Sequence, residues 1–563
     1  MAPGKARRLG LLLALAATAC CKKSEVKGGG GGGTAGGEAG FTLIALGEMR
    51  GQIAPCGCTS DPLGDLSRTA QLVVGARSSG PTLVLDAGSV LYSKSPVPDH
   101  LAAQEELKAD LLMRTYKDKL GVGAVGLGPA DLPKGPDHAR VPRQAVNLPA
   151  GSPWPTEKPR IIEVGGQKVG VFGVIALDTV PALKVTDPAA AGKAAIAELR
   201  GDGAQLVVAL VQAASKRDAV KLVRDLPGVD LAIAGLGLAA PEPDHAELEA
   251  TKVGDAWMVI PTNRGQHVAK LAITLRGSGP LVDAIGPAAA KARIAGIDKR
   301  LAALDADLAK WAADPAADKA FVAQKRQERA DLAAEKTRLE TSPTVAPDKG
   351  SYFTFEQVKI NKALACDVDT QTAITQFYAA AGQLNAKAMA GKQPPDAKGE
   401  ASYVGGAACD DCHSDAVEFW KTTRHAHAWE TLVKRGQQLD FDCIGCHVTG
   451  YDKPGGSNLA YNDKLQDVQC ETCHGPGSIH VKMGGEERPP SVMRTPKQGL
   501  CETQCHTKEH SDTFERMAYM RDITGPGHGE DVRKALGDGP TGAQLRKAAL
   551  DKAGRALGAG CVR

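Results

Sequence analysis

Four cysteine clusters, all lying within residues 409–506, constrain this 563-residue chain more than any other feature. They read CDDCH (Cys409, Cys412, His413), CIGCH (Cys443, Cys446, His447), CETCH (Cys470, Cys473, His474) and CETQCH (Cys501, Cys505, His506). Two thiols at that spacing can add across the two vinyl groups of a haem. The histidine that follows then turns under the porphyrin as a proximal iron ligand. A single CxxC pair would also suit a redox dithiol or half of a zinc site. Zinc does not require a histidine after every second cysteine, so four repeats point to four covalently bound c-type haems. The fourth cluster has one extra residue between its cysteines, and its alternative is a Cys501–Cys505 disulfide.

Fourteen cysteines are present in all. Outside the clusters they are Cys20, Cys21, Cys56, Cys58, Cys366 and Cys561. The Cys56-Gly57-Cys58 pair is open to metal binding, to thiol exchange, or to a structural disulfide with Cys366 or Cys561.

The N-terminus sets the expected compartment. Lys5, Arg7 and Arg8 precede a short apolar run over 9–17 and then small residues before Cys20. This order resembles a bacterial lipoprotein signal spanning 1–20, with Cys20 as the lipidated residue; an ordinary secretory signal cut near Ala19 is the alternative. Both export the chain to the periplasmic side of a bacterial cell envelope. Residues 21–40 contain six consecutive glycines at 28–33 and read as a flexible tether. The charge of +3, from 68 Lys and Arg against 65 Asp and Glu, gives no basic stripe for nucleic acid. The expected partners are redox proteins, with the membrane reached through the lipid.

Residues 41–285 alternate strand-like and helical runs, with strands expected over 41–46, 82–86, 124–127, 160–174, 205–211, 231–234, 257–261 and 268–275. Over 286–345, Ile294, Ile297, Leu301, Leu304, Leu308 and Trp311 recur at 3-4-3-4-3 spacing, and Pro315 then interrupts the pattern. That predicts an antiparallel helical hairpin. A strand–helix element and linker follow over 346–400, the clusters occupy 401–510, and a Gly-rich tail with one basic helix runs over 511–563.

Two resemblances attach to these residues. The run from Tyr403 through CDDCH, the WKTTRHAHA segment at 420–428, CIGCHVTG, and CETCHGPGSIH at 470–480 resembles the cytochrome c-554 family of tetrahaem electron carriers. The resemblance implies His425 and His480 as distal iron ligands. It leaves His427 as a rival for the first role, and His510 or His528 for another haem. It also implies that one iron can lack a strong sixth ligand. The order of elements in 41–285 resembles the 5′-nucleotidase branch of the calcineurin-like metallophosphoesterases. Departures fall at the ligand turns: Glu48 and Arg50 replace Asp and His, Ser89 replaces the bridging Asp, Gly128-Pro129 replace Asn-His, and Gln212 stands near an expected His. Leu236-Gly237-Leu238 carry neither of the late histidines. The expected architecture is thus multidomain, with a degenerate α/β sandwich, a helical hairpin, and a mainly α or irregular multihaem domain. The residues favour electron carriage over catalysis, with a multihaem reductase and a redox sensor as alternatives.

Overall fold

The computed structural model describes residues 40–561, apart from 56–58, 278, 286, 314–318, 342, 344, 508 and 555. Cys20, Cys21, the glycine run and the Cys56–Cys58 pair lie outside the described residues.

Apolar strands in the first half make two six-stranded sheets. The first sheet opens with β1 (Gly40–Leu46), β2 (Thr82–Asp86) and β3 (Ala124–Val125), with α1 (Leu66–Ser79) and α2 (Ala102–Thr115) as crossovers. A two-stranded ribbon, β4 (Arg143–Gln144) and β5 (Thr156–Glu157), leads to the second sheet. That sheet contains β6 (Arg160–Val164), β7 (Gln167–Ile175), β8 (Leu206–Gln212), β9 (Leu231–Gly235), β10 (Thr251–Val253) and β11 (Ala256–Val259), with α3 (Pro188–Gly201) and α4 (Lys216–Arg224) between strands. The chain then returns to the first sheet through β12 (His267–Thr274) and β13 (Val282–Asp283).

Strand periodicity explains the layering. Leu43 and Ala45 face inward and meet Val171, Val208 and Ile233 of the second sheet. Ile44 and Leu46 face outward, under α1 and α2. Both faces are covered, so the strands read as continuous apolar runs rather than alternating ones. The helices start where side chains can satisfy free N–H groups: Asp65 accepts from Ser67 N and Arg68 N, and Asp187 and Ser215 do the same for α3 and α4.

α5 (Pro287–Ala313) and α6 (Lys319–Thr341) form the hairpin, packing through Ile294, Ile297, Leu301, Leu332 and Leu339. β14 (Tyr352–Lys359) then pairs antiparallel with β12 along its whole length, from His267↔Lys359 to Thr274↔Tyr352. α7 (Val368–Met389) covers the outer face of the same sheet, with Ile374, Phe377 and Ala381 in that core. The strand–helix element read separately over 346–400 therefore completes the sandwich, and the hairpin is an excursion between two strands of one sheet.

The cluster-bearing region has only short helices: α8 (Asp410–Lys421), α9 (Ala428–Val433), α10 (Phe441–Ile444), α11 (Cys470–His474), α12 (Ser478–Lys482) and α13 (Leu500–Gln504). The tail adds α14 (Arg516–Ile523), α15 (Glu530–Ala535) and α16 (Gly542–Ala553). It is not a loose appendage. A side chain at Gly525 would sit 2.4 Å from the Phe419 ring on α8, so tail and α8 pack in direct contact. Cys561 forms a disulfide with Cys366, just before α7. That bond corrects the expectation that either cysteine would pair with Cys56 or Cys58. No helix among the described residues is long and apolar enough to cross a membrane.

Candidate haem-binding site

The four clusters come together although up to ninety-odd residues separate them in sequence. Cys409 and Cys470 are hydrogen-bonded thiol to thiol, and Cys446 and Cys505 make the same contact. Cys501 and Cys505 are not joined to each other by a disulfide in this structure. Every cluster lies on or beside a short helical turn: Cys409 caps α8, Cys443 lies near the end of α10, CETCH makes up α11, and Cys501 lies in α13. Asp440 caps α10 by accepting from Asp442 N, while Gly499, at φ 81°, starts α13.

The histidine orientation is the most informative geometry. His447 Nδ1 lies 2.5 Å from Ala428 O, His474 Nδ1 2.7 Å from Met493 O, and His506 Nδ1 3.0 Å from Ser511 Oγ. Among the non-cluster histidines, His480 Nδ1 lies 2.6 Å from Glu487 O. A backbone carbonyl only accepts, so in His447, His474 and His480 Nδ1 is the donor, and in the neutral ring Nε2 is the nitrogen left with the lone pair. Metal-bound imidazoles are oriented by such hydrogen bonds.

The rings also pair. His413 and His480 have centroids 6.5 Å apart, and His425 and His506 have centroids 6.2 Å apart. Two metal–imidazole bonds of about 2 Å, with roughly 1.1 Å from each nitrogen to its ring centre, span about 6.2 Å. Gly485 strengthens the first pair: His480 Nε2 and Cys412 Sγ lie 4.0 and 3.8 Å from the point where its Cβ would stand. Burial pushes the His425 imidazole down to about 4, with the neighbouring His506 adding to the effect, so the ring is neutral at pH 7 and able to ligate. His528 is lowered by burial first and then by the charge of His474, so these two imidazoles lie within electrostatic reach of each other. The Nδ1 atoms of His510 and His528 are buried without a hydrogen-bond partner. His427 is exposed. Among the described residues, no histidine ring stacks on His447, whose Nδ1 has Thr431 Oγ1 as a second neighbour at 3.4 Å. The donor set and the ring-centre separations would suit an iron held by paired imidazoles of this chain.

With this geometry the first three clusters match a known pattern, and the fourth lies outside the match. Residues 408–475 match the family described as cytochrome c554 and c-prime. The c554-like region is also 34% identical, over 121 residues, to cytochrome c-554 of Nitrosomonas europaea. That alignment covers 18% of this chain and 51% of the relative, so the chain spans about half the length of the curated relative it matches. By structure, the chain is similar to a 5′-nucleotidase precursor from Thermus thermophilus at 18% identity and TM-score 0.41, covering 61% of this chain and 59% of that one. A calcineurin-like phosphoesterase from Bacillus subtilis is similar at 17% identity and TM-score 0.34, over 43% and 87% of the two chains.

Sequence reasoning missed the tail's share in the c554-like region. Phe514 stacks on His506 at 4.6 Å, Tyr519 meets it edge-on at 5.2 Å, and Ser511 holds its Nδ1. The boundary drawn at 510 thus cuts through the surroundings of the fourth cluster. The run Gly525-Pro526-Gly527-His528, which echoes the HGPG at 474–477, was the available signal.

The sandwich's own polar rim is packed shut. Gln212 Nε2 donates to Glu48 Oε1 at 3.2 Å and to Ala87 O at 3.0 Å. Asp131 accepts from Ser89 N, Val90 N and Gly128 N at 2.9–3.0 Å and faces Arg143 at 3.3 Å. A Cβ on Gly235 would stand 2.1 Å from Gln212 Nε2, and one on Gly128 would stand 2.3 Å from Ser89 Oγ. Where a two-metal hydrolase keeps ligands facing an open site, these side chains face one another.

Proposed function

We propose that this chain is an exported c-type cytochrome that moves electrons through four haems held by Cys409/Cys412, Cys443/Cys446, Cys470/Cys473 and Cys501/Cys505. His413, His447, His474 and His506 are the proximal ligands in this reading. His480, His528 and His425 are the distal partners of the first, third and fourth, respectively. The pairing of histidine rings at 6.2 and 6.5 Å is the observation that carries it. Haem c supplies a one-electron iron couple, and its two axial positions suit a pair of imidazoles.

The chain's own residues do the rest. Backbone carbonyls at Ala428, Met493 and Glu487 keep ring protons on Nδ1 and so hold Nε2 available as a ligand. Interleaved thiols bring the haem sites close enough for electrons to pass between neighbours. Cys20 anchors the chain by lipid, the glycine tether spaces it from the surface, and the sandwich serves as a scaffold and docking module for redox proteins.

Pyridine-haemochrome quantitation with intact mass tests the reading. Four haems are expected on the mature chain. Three would remove the CETQCH site, and none would overturn the proposal. Release of a Cys20→Ser variant from the membrane fraction tests the anchor.

A second reading, a reductase acting on a small nitrogen or sulfur oxide, is favoured by one observation, the absence of a stacked histidine opposite His447. A high-spin ferric signal that shifts on adding nitrite or sulfite would support it. Low-spin signals from every haem would remove it.

A further inference from the structure

The second cluster differs from the others in what stands behind it. α10, which carries Cys443, sits on a buried polar bridge to two helices of the sandwich. Gln104 on α2 is fully buried; its Nε2 donates to Asp440 Oδ1 at 2.8 Å and to Asp442 Oδ2 at 3.2 Å. Its Oε1 accepts from Asn385 Nδ2 on α7 at 2.7 Å and from Phe441 N at 3.4 Å. Asn385 Nδ2 also donates to Leu439 O at 2.9 Å. Lys108, one turn along α2 and 7% exposed, donates to Asp442 Oδ2 at 2.9 Å and to Glu105 Oε1 at 2.5 Å.

Apolar contacts close around the bridge. His100 meets Phe441 edge-on at 5.5 Å, and a Cβ on Gly382 would stand 3.3 Å from Leu439 Cβ. A buried bridge of this kind is costly unless every member is satisfied. Among the described residues, Asn385 Oδ1 is left without a partner, whereas Gln104 engages both of its amide atoms and so ties α10 to α2 and α7.

We propose that α2 and α7 form the outer wall of the second haem site, with Gln104 and Asn385 as positioning residues for Cys443 and Lys108 as the charge that sets this haem's potential. The inference rests on the haem reading of that cluster. Its electrostatic sign follows from charge alone. Glu105 is a buried carboxylate, Asp442 one that is partly open to solvent, and Lys108 bridges the two. A negative charge left uncompensated beside a haem favours the ferric form, which carries one more positive charge. Removing Lys108 therefore lowers the potential, and removing the Asp442 charge raises it.

The experiment is a potentiometric titration of the full haem-loaded chain, followed by EPR, for the parent, Lys108→Met and Asp442→Asn. Mass mapping of the haem-bearing peptides accompanies it. The expected result is that one haem moves in each variant and the other potentials stay in place. Lys108→Met shifts it downward and Asp442→Asn upward, each by about tenfold in the reduction equilibrium, which is about 59 mV for one electron. Should Lys108→Met fail to fold, Asp442→Asn alone decides, because its amide keeps a hydrogen-bonding oxygen for Gln104 and Lys108. Haem present on the peptide containing Cys443 and Cys446, with no potential moved in Asp442→Asn, overturns the inference. Absence of haem from that peptide in the parent overturns the underlying haem assignment instead.

Discussion

At the scale of single residues, the histidines separate by environment rather than by count. Most of the C-terminal candidates were readable from the sequence, because histidines beside CxxCH clusters are chemically conspicuous. Their pairing was not readable, because it depends on contacts across tens of residues; His425 meets His506, eighty-one positions away. The sharpest test is His528→Ala. One low-spin ferric EPR signal is expected to convert to high spin, with haem content unchanged.

Acids in the sandwich give a second residue-scale prediction. Burial raises both Glu48 and Asp86 to about 7, from 4.5 and 3.8. A carboxyl whose folded value is raised contributes stability that is complete below its unfolded value and is lost as pH rises through the folded one. Stability should therefore fall between about pH 4 and pH 7 and then level off. At 1.36 kcal/mol per unit, Glu48 accounts for about 3 kcal/mol of that fall and Asp86 for about 4 kcal/mol. Urea unfolding at a series of pH values should show a shallower fall in Glu48→Gln.

At the scale of elements, most of the long strands were legible to within about two residues, since runs such as LVVALVQ at 206–212 admit little else. The single run expected over 160–174 is instead the antiparallel pair β6 and β7, and the short strands β10 and β13 were not expected. β14 was legible as a strand but not as a member of the first sheet. Its partner β12 lies across the whole hairpin, and nothing local in YFTFEQVK names a partner. The closed rim was half legible: the missing ligands showed in the sequence, whereas the glycines pressed against Gln212 and Ser89 did not. Because α5 and α6 leave and rejoin one sheet, replacing 287–341 with a short loop should leave the β12–β14 pairing and the haem content intact. Circular dichroism and haem absorbance would check this, and loss of haem would show that the hairpin does more than pack on itself. Within the sheet, Phe353 is fully buried, and Phe353→Ala should cost about 3–5 kcal/mol in urea unfolding.

At the scale of the whole molecule, the sandwich and the c554-like region are joined along several seams. Ser60 N donates to Asp512 Oδ1 at 3.1 Å, Arg264 pairs with Glu509, and Lys108 pairs with Asp442. The Cys366–Cys561 bond closes a loop with a sequence separation of 195. Opening it through Cys561→Ser should lower stability by about 2–4 kcal/mol, measured as a drop in the thermal midpoint under oxidising conditions.

That bond also changes what a cut in the chain would do. α7 begins just after Cys366, and the cytochrome-like region leaves from the helix's far end, so the region departs and returns along a single helix. A protease that nicks the exposed glycine turn at Gly484 and Gly485 would yield two fragments still joined covalently. They would run as one band on a non-reducing gel and separate only after a thiol is added, so damage to the cytochrome-like region would not by itself set it adrift from the sandwich.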